Sequence, residues 1–452
     1  MRIAHIHGTD NQTITRFAAD LCRHAAAAGH KALLCCGYDP VPGDIPCLRI
    51  GETLLSPMEY RAARNPLRRG IGSLLAKGRS IGAAAGRLMH RGFSLVTDRC
   101  GFYSSHTTRH FLRQLDKFQP DLVHLHSLHG CCLNVPLVID YLRERDIPVV
   151  WTLHDNWAYT GHCVRNSYPI KPYLRPQDAP DASLPAICTQ WQKGCESCPM
   201  KHTHPASYVL DQCNKNYLEK WTLFTSLRRL ALASPSRCCS NEVKQSFLSA
   251  YPVHTLPGMV NLRAFTPCGD EQTMQRTVER YHLDLLEDRR LVLCAADRWD
   301  GQNSLDDLKA LAKVLGSEYC VAATGLTGRQ IRSLPEGMLG MPAVTDPAEM
   351  CALYTAADLL LCTDPLSAAR LPEAMACGTQ VLCYDTAALP EYITSRCGAA
   401  VPPGDIAAAA HTVRKLCTVP KDPMACMEQA AQYRSERCCE GYLALYRRMT
   451  GR

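Results

Sequence analysis

Leu371-Pro372-Glu373-Ala374-Met375-Ala376-Cys377-Gly378-Thr379-Gln380-Val381-Leu382 carries two kinds of secondary structure in one short run. A proline in the first turn and a glycine just past the end bracket a short helix, and the apolar run 380–384 reads as a buried strand that follows at once. Helix joined directly to buried strand is the unit of a parallel α/β sheet. The spacing places Glu373 near the helix N-terminus, where free N–H groups and the helix dipole attract anions. A carboxylate there can hold the hydroxyls of a sugar or ribose while amides take a phosphate. Taken alone, the stretch also fits an ordinary helix-to-strand turn with a solvated glutamate.

The same alternation recurs outward from this stretch. In the second half, 291–295, 319–323, 359–362 and 381–384 read as strands, 305–315, 347–356 and 406–416 as helices, and 424–449 as one long helical tail. In the first half, strands at 2–7, 31–36, 121–126, 148–153, 230–233 and 253–256 alternate with helices at 13–28, 107–118, 135–145, 217–229 and 241–250. Strands separated by helices of this length form parallel, doubly wound sheets. Pro257-Gly258 interrupts the pattern and sets a hinge between there and about residue 283. The expected fold class is α/β, with two doubly wound, Rossmann-like lobes facing a cleft. The first lobe is residues 1–265, with a basic insertion at about 55–110 and a cysteine-rich loop at about 156–205. The second is residues 266–430, and 431–452 form a tail helix. Ligands of such sheets sit beyond the strand carboxyl ends.

At 452 residues the chain exceeds what one core supports, and two lobes of about 200 residues each fit it. No run reaches the roughly 18 apolar residues of a membrane span. Met1 to His7 alternates like a strand and lacks the apolar core of a signal peptide, so the expected location is the cytoplasm. The 26 cysteines then read as reduced, small, buried residues rather than as a disulfide framework. The net charge of +7 is unevenly placed: Arg61, Arg64, Arg68, Arg69, Lys77, Arg79, Arg87, Arg91 and Arg99 crowd one segment. No nucleic-acid-binding motif accompanies them, and nucleic acid is not an expected partner. Anionic lipid head groups or a lipid diphosphate at the inner face of the cell membrane suit the cluster; a solvated basic helix pair is the alternative.

Two strands of the first half end in histidine: 121–126 in His124-Leu125-His126, with His129 soon after, and 148–153 in His154-Asp155. Both clusters lie at strand carboxyl ends of one sheet and should face one cleft. An imidazole there can donate to a phosphate or sugar hydroxyl, or move a proton. Cys163, Cys188, Cys195 and Cys198 gather in the long loop, and Cys195-Glu196-Ser197-Cys198 has the spacing of a zinc knuckle. Tetrahedral thiolates would brace a loop that has no core of its own; reduced loop cysteines are the alternative.

Pro372-Glu373-Ala374-Met375-Ala376-Cys377-Gly378-Thr379 resembles the donor-binding signature of the family 4 retaining glycosyltransferases. Trp151-Thr152-Leu153-His154-Asp155-Asn156-Trp157-Ala158-Tyr159-Thr160-Gly161-His162-Cys163 resembles a segment of the capsular and exopolysaccharide enzymes of that family, the colanic acid type. So do residues 97–102, 124–130, 234–237 and 243–248. The resemblance spans almost the whole chain. It implies the GT-B fold, with a nucleotide sugar held mainly by the second lobe and the tail helix crossing back to the first. By the same resemblance His154 and Asp155 lie at the transferred sugar, Arg298 takes the diphosphate, and Glu373 grips the ribose. Asn303, Asp364 and Leu371 surround the donor, while Arg16, Arg99, His126 and His129 lie on the acceptor side. For Arg16, an exposed helix arginine is the plain alternative.

The chain departs from the family pattern at three places. The family's lysine five positions after the arginine, and the glycine that follows it, are Asn303 and Ser304 here. The first acid of the paired-glutamate motif is Pro365, with Asp364 one step back, and the first glycine-rich loop is reduced to Gly8. The implied activity is retaining transfer of a sugar from a UDP- or GDP-linked donor to a glycan or a lipid-diphosphate-linked glycan, in cell-surface polysaccharide synthesis. No cofactor is required for it, and zinc at the cysteines would be structural. The departures keep open a relative that binds a nucleotide sugar or a partner enzyme without turnover. A nicotinamide-dependent dehydrogenase fits poorly, because no Gly-x-Gly-x-x-Gly follows the first strand.

Overall fold

The computed structural model describes residues 1–9, 11–37, 41–50, 86–164, 188–296, 299 and 305–452. Most of the basic segment, with Arg61, Arg64, Arg68, Arg69, Lys77 and Arg79, lies outside the described residues, as do Arg298, Asn303 and Ser304.

Thirteen described strands form two parallel sheets. The first contains β1 (Arg2–His7), β2 (Lys31–Cys36), β3 (Cys47–Arg49), β4 (Leu122–Leu125), β5 (Val149–Thr152), β6 (Leu230–Ser234) and β7 (Val253–Thr255), in the order β3-β2-β1-β4-β5-β6-β7. The second contains β8 (Arg290–Cys294), β9 (Tyr319–Ala323), β10 (Met338–Gly340), β11 (Leu359–Cys362), β12 (Val381–Tyr384) and β13 (Gly398–Val401), in the order β10-β9-β8-β11-β12-β13. Every pairing is parallel. In both sheets the winding reverses beside the first strand, between β1 and β4 and between β8 and β11, which opens a crevice at the carboxyl ends. This is the two-lobed α/β architecture expected from the alternation.

Three strands escaped the sequence reading: β3, β10 and β13. Each is an edge strand or next to one, and each is three or four residues long, too short for alternation to register. The helix expected at 241–250 runs Arg237–Val243, because Ser236 caps it by accepting the Cys239 N–H at 3.0 Å. The expected single tail helix is two, Pro423–Ala431 and Ser435–Thr450. They break where Val260 donates to the Tyr433 carbonyl (2.8 Å) and accepts from the Ser435 N–H (3.0 Å). The second of the pair packs on the first lobe, with Cys439, Tyr442 and Tyr446 against Ala18, Leu21 and Cys22 of the helix Gln12–Ala27. Full burial of each such side chain contributes about 1.5–3 kcal/mol.

Alternation along the first sheet sorts its chemistry. Ala4 and Ile6 of β1 join one apolar core. Ile3, Leu122 and Val150 begin the opposite face, and His5, His7, His124, His126, Thr152 and His154 continue it at two-residue steps. The tail helix and the helix Gln12–Ala27 cover that face, so an imidazole layer is sealed beneath them. The loops after β1 and β4 touch directly: a Cβ on Gly130 would stand 1.4 Å from the Gly8 carbonyl oxygen. Two glycines in contact thus take the place of a longer glycine-rich loop.

Candidate active site

A cleft of about 1000 Å³ opens between the lobes. Gly8, Arg16, His129, His154 and Asp155 line it from the first sheet's side, and Pro365, Pro372 and Glu373 line it from the second. His154 and Glu373 both line this cleft, from opposite lobes.

His154 follows β5 and is half-buried. Its Nε2 lies 3.0 Å from His126 Nδ1, and His126 Nε2 lies 3.2 Å from His5 Nδ1. Burial pushes the His5 and His154 imidazoles down to about 3 and holds His124 and His126 well below the ordinary value. All four are therefore neutral at physiological pH. His124 is held separately, by the Tyr446 hydroxyl at 2.6 Å and the Thr152 hydroxyl at 2.7 Å. Thr152 also meets the Tyr442 hydroxyl at 2.9 Å. The tail helix is thus keyed into the layer that leads to His154.

Asp155 sits beside it with both oxygens engaged. Oδ2 accepts from His129 Nε2 (3.0 Å) and the Ser127 hydroxyl (2.7 Å), and Oδ1 accepts from the Trp157 N–H (3.0 Å). Burial alone would raise its carboxyl, but the His129 imidazole beside it and these hydrogen bonds outweigh burial and hold it far below the usual carboxylate range. Asp155 accordingly anchors His129 at the cleft wall. Asp155 itself lines the cleft, with Oδ1 accepting one hydrogen bond and Oδ2 two.

Glu373 is 8% exposed, on the helix Arg370–Ala376. Its Oε2 accepts from Arg370 Nη1 at 2.9 Å and from the Tyr354 hydroxyl at 3.0 Å. Burial, then the neighbouring carboxylate, raises the Tyr354 phenol well above its ordinary value, so it stays a donor. Neither partner was found from sequence. Arg370 carries a usable signal, an i,i+3 spacing to Glu373 on one helix; Tyr354 comes from another helix and carries none.

The amides expected to bind phosphate are occupied. Leu371 N–H donates to the Ala368 carbonyl (3.1 Å) and Glu373 N–H to that of Ala369 (3.4 Å), while Pro372 has no N–H. The 3₁₀ turn Pro365–Ser367 runs almost directly into the helix and fills its first turn. Leu371 is wholly buried in the lobe's core and Asp364 is 4% exposed and off the cleft wall, which corrects both as donor contacts.

The acceptor-side residues divide. Arg16 lines the cleft and donates to the Thr345 carbonyl of the other lobe at 2.5 Å, so it spans the opening. His129 lines the cleft as expected. His126 does not: it is completely buried and reaches the cleft only through His154. Arg99 is turned away, pairing with Glu219 at 2.6 Å and Asn216 at 3.1 Å while stacking on Phe102. A further interlobe tie comes from Glu391, whose oxygens accept from the Arg237 and Cys238 amides at 2.9 and 2.7 Å.

The expected zinc ligands are Cys163, Cys188, Cys195 and Cys198. In the structure Cys163 neighbours Cys198, which neighbours Cys213, which neighbours Cys195. The Cys163 thiol is raised by Cys198, that of Cys198, against the opposing Cys163 contact, by Cys213, and that of Cys213 by Cys195 against Cys198, each with burial adding. Gly161 N–H donates to Cys195 Sγ at 3.2 Å. Cys213, from the helix Cys213–Phe224, stands where Cys188 was expected. Among the described residues, three ligand atoms lie within 4.8 Å of one another only at His5, His124 and His126, so the sulfurs do not converge on one point.

Residues 14–184 match the model of Glycosyltransferase Family 4, and residues 341–433 that of Glycosyl transferases group 1. Both matched models are glycosyltransferase models, and the first makes the chain similar to the family 4 enzymes over that stretch. Over 137 residues the chain is 28% identical to WcaC of Escherichia coli, named as a colanic acid biosynthesis glycosyl transferase; the match spans 29% of this chain and 28% of that one. Its fold is similar to sucrose-phosphate synthase from Thermosynechococcus elongatus, with a TM-score of 0.62 at 16% identity, covering 100% and 99% of the two chains. It is also similar to HepE of Anabaena, solved with UDP and glucose, with a TM-score of 0.58 at 12% identity, covering 98% and 99%. The chain has the two-lobe GT-B fold.

Proposed function

We propose that this glycosyltransferase moves a sugar from a nucleoside diphosphate to a glycan or lipid-diphosphate-linked glycan during cell-surface polysaccharide synthesis, with retention and without a catalytic metal. The observation that carries the reading is the convergence of His154 and Glu373, from different lobes, on one cleft at the carboxyl ends of two parallel sheets. HepE, solved with UDP, and WcaC, named for colanic acid synthesis, support the donor class and the setting. Glu373, fixed by Arg370 and Tyr354, receives the ribose hydroxyls, and His154 meets the sugar. Departure of the diphosphate builds negative charge, which a guanidinium such as that of Arg298 stabilises most when charge has developed. The acceptor hydroxyl attacks the anomeric carbon on the same face as the leaving phosphate, which takes its proton, so configuration is kept and no side-chain nucleophile is needed.

Purified protein incubated with UDP- and GDP-sugars and a lipid-linked acceptor should release nucleoside diphosphate and form the retained anomer, read by NMR, with no loss of rate in EDTA. Tight nucleotide-sugar binding with neither hydrolysis nor transfer would instead mark a binding protein.

The acceptor reading extends to a membrane. No described helix is long and apolar enough to cross one. Helix 86–97 carries exposed Leu88, Met89, Phe93 and Val96, with exposed Tyr208 and Val209 alongside. Arg87 and Arg91 lie on the same helix, immediately after the basic segment. This combination suits shallow insertion among anionic head groups at the inner face of the cell membrane. The protein should sediment with vesicles of phosphatidylglycerol and phosphatidylethanolamine but not with phosphatidylcholine, and Phe93→Asp should weaken sedimentation. Equal recovery with both vesicles would count against membrane contact.

A further inference from the structure

We propose that His126 and His5 are positioning residues that hold His154 as the tautomer with its proton on Nδ1, so that it donates a hydrogen bond into the cleft. This rests on the reading above that the sugar meets His154. A neutral imidazole has one donor and one acceptor nitrogen, so the two contacts in series permit only two proton arrangements. In the first, His5 Nδ1–H donates to His126 Nε2, and His126 Nδ1–H donates to His154 Nε2, which leaves His154 with its proton on Nδ1. In the second every bond is reversed: His154 Nε2–H donates to His126 Nδ1, His126 Nε2–H donates to His5 Nδ1, and His5 carries its proton on Nε2.

The two ends of the chain differ in what they meet. Among the described residues His154 Nδ1 has no protein partner, and it is not among the sealed, unsatisfied atoms, on a half-buried residue that lines the cleft. Water or substrate satisfies it in either arrangement. His5 is wholly buried and, among the described residues, its Nε2 has no partner. The second arrangement would strand an N–H there, and orphaned buried N–H groups are the rarer and costlier defect. The first leaves only a lone pair. The unpartnered nitrogen at the blind end of the layer therefore selects the proton position at the open end, two rings away. His124 stands outside this series, because the Tyr446 and Thr152 hydroxyls occupy both of its nitrogens. The consequence for chemistry is definite: His154 offers a hydrogen to a sugar or phosphate oxygen and does not act as the base for the acceptor hydroxyl.

The tautomers are read directly from two-bond ¹H–¹⁵N correlations of ¹⁵N-histidine-labelled full-length protein, with His154→Gln identifying the signal. His154 should show a protonated Nδ1 and an unprotonated Nε2. His5→Phe removes the directing end and should give a mixture of tautomers at His154. His126→Phe should do the same and lower kcat about tenfold with little change in KM, while His126→Asn, whose amide stands where Nδ1–H stood, should restore most of the rate. A wild-type His154 protonated on Nε2 would overturn the proposal, as would variants that leave the tautomer unchanged. A metal ion bound stoichiometrically and lost in His126→Phe would also overturn it, since a metal would replace these hydrogen bonds. Because the tautomer is measured without substrate, failure to find sugar transfer leaves this result standing, and a wrong tautomer leaves the transfer reading untouched.

Discussion

Glu373→Gln should lose sugar transfer by a factor of about 10² to 10³ in kcat/KM, equivalent to about 3–4 kcal/mol of transition-state stabilisation, while its melting temperature stays within a few degrees of the parent. The amide oxygen can still accept from Arg370 and Tyr354, so the lobe keeps its packing, but the negative charge that fixes the ribose is gone. Glu373→Ala should behave differently. Arg370 and Glu373 have side chains 7% and 10% exposed, and alanine removes the hydrogen-bond acceptor shared by Arg370 and Tyr354 together with the charge, at about 3–5 kcal/mol, where glutamine removes the charge and keeps the acceptor. The alanine variant should therefore lose both transfer and stability, and the glutamine variant, with the smaller loss of stability, reports more directly on chemistry. Full activity in Glu373→Gln, measured as nucleoside diphosphate release, would remove the carboxylate from the donor site.

The second large effect is on acid stability. His5, His124 and His126 are wholly buried, with folded-state values depressed to about 3 for His5 and well below the ordinary value for the other two. In the unfolded chain they titrate near about 6.5. Above that pH both states are neutral and nothing is gained or lost. Below it the unfolded chain binds protons that the folded chain refuses, so stability falls as pH falls, from about 6.5 toward the folded values. Three groups at about 1.4 kcal/mol per unit each remove about 4 kcal/mol per pH unit, or about 6 kcal/mol by pH 5. A typical domain holds only 5–15 kcal/mol in all. Asp155 adds to the loss only at lower pH, because a depressed carboxylate stabilises above its unfolded value and loses that contribution on protonation. Unfolding followed by circular dichroism should thus set in between about pH 4 and 5.5, with His5→Phe less acid-sensitive than the parent. A melting temperature flat from pH 7 to 4.5 would show that the imidazoles are not held neutral.

The two predictions draw on different levels of legibility. Glu373 was readable because proline in the first turn and glycine past the end mark a helix in any sequence, and the glycine has φ +79° as such a stop requires. Histidines at strand ends were readable for a similar reason, since period-two apolar runs declare where a strand stops. The error lay in treating all such histidines alike. His126 and His154 sit on one face, and only the covering helix, more than 280 residues later in the chain, decides which is sealed. Arg99 looked like part of a basic patch until Asn216 and Glu219, more than 100 residues away, claimed it. Cys213 belonged with the loop cysteines in space but not in spacing.

Local pattern alone therefore determined the architecture: short-range propensities, chain-reversing residues and alternation need no partner to be expressed. The tertiary structure decided which polar groups face the cleft and which are held inside, which carboxylate already has its counter-charge, and which ring nitrogen carries a proton. Those properties depend on desolvation and on hydrogen-bond partners brought from distant segments, and neither is encoded within the reach of a single helix or strand.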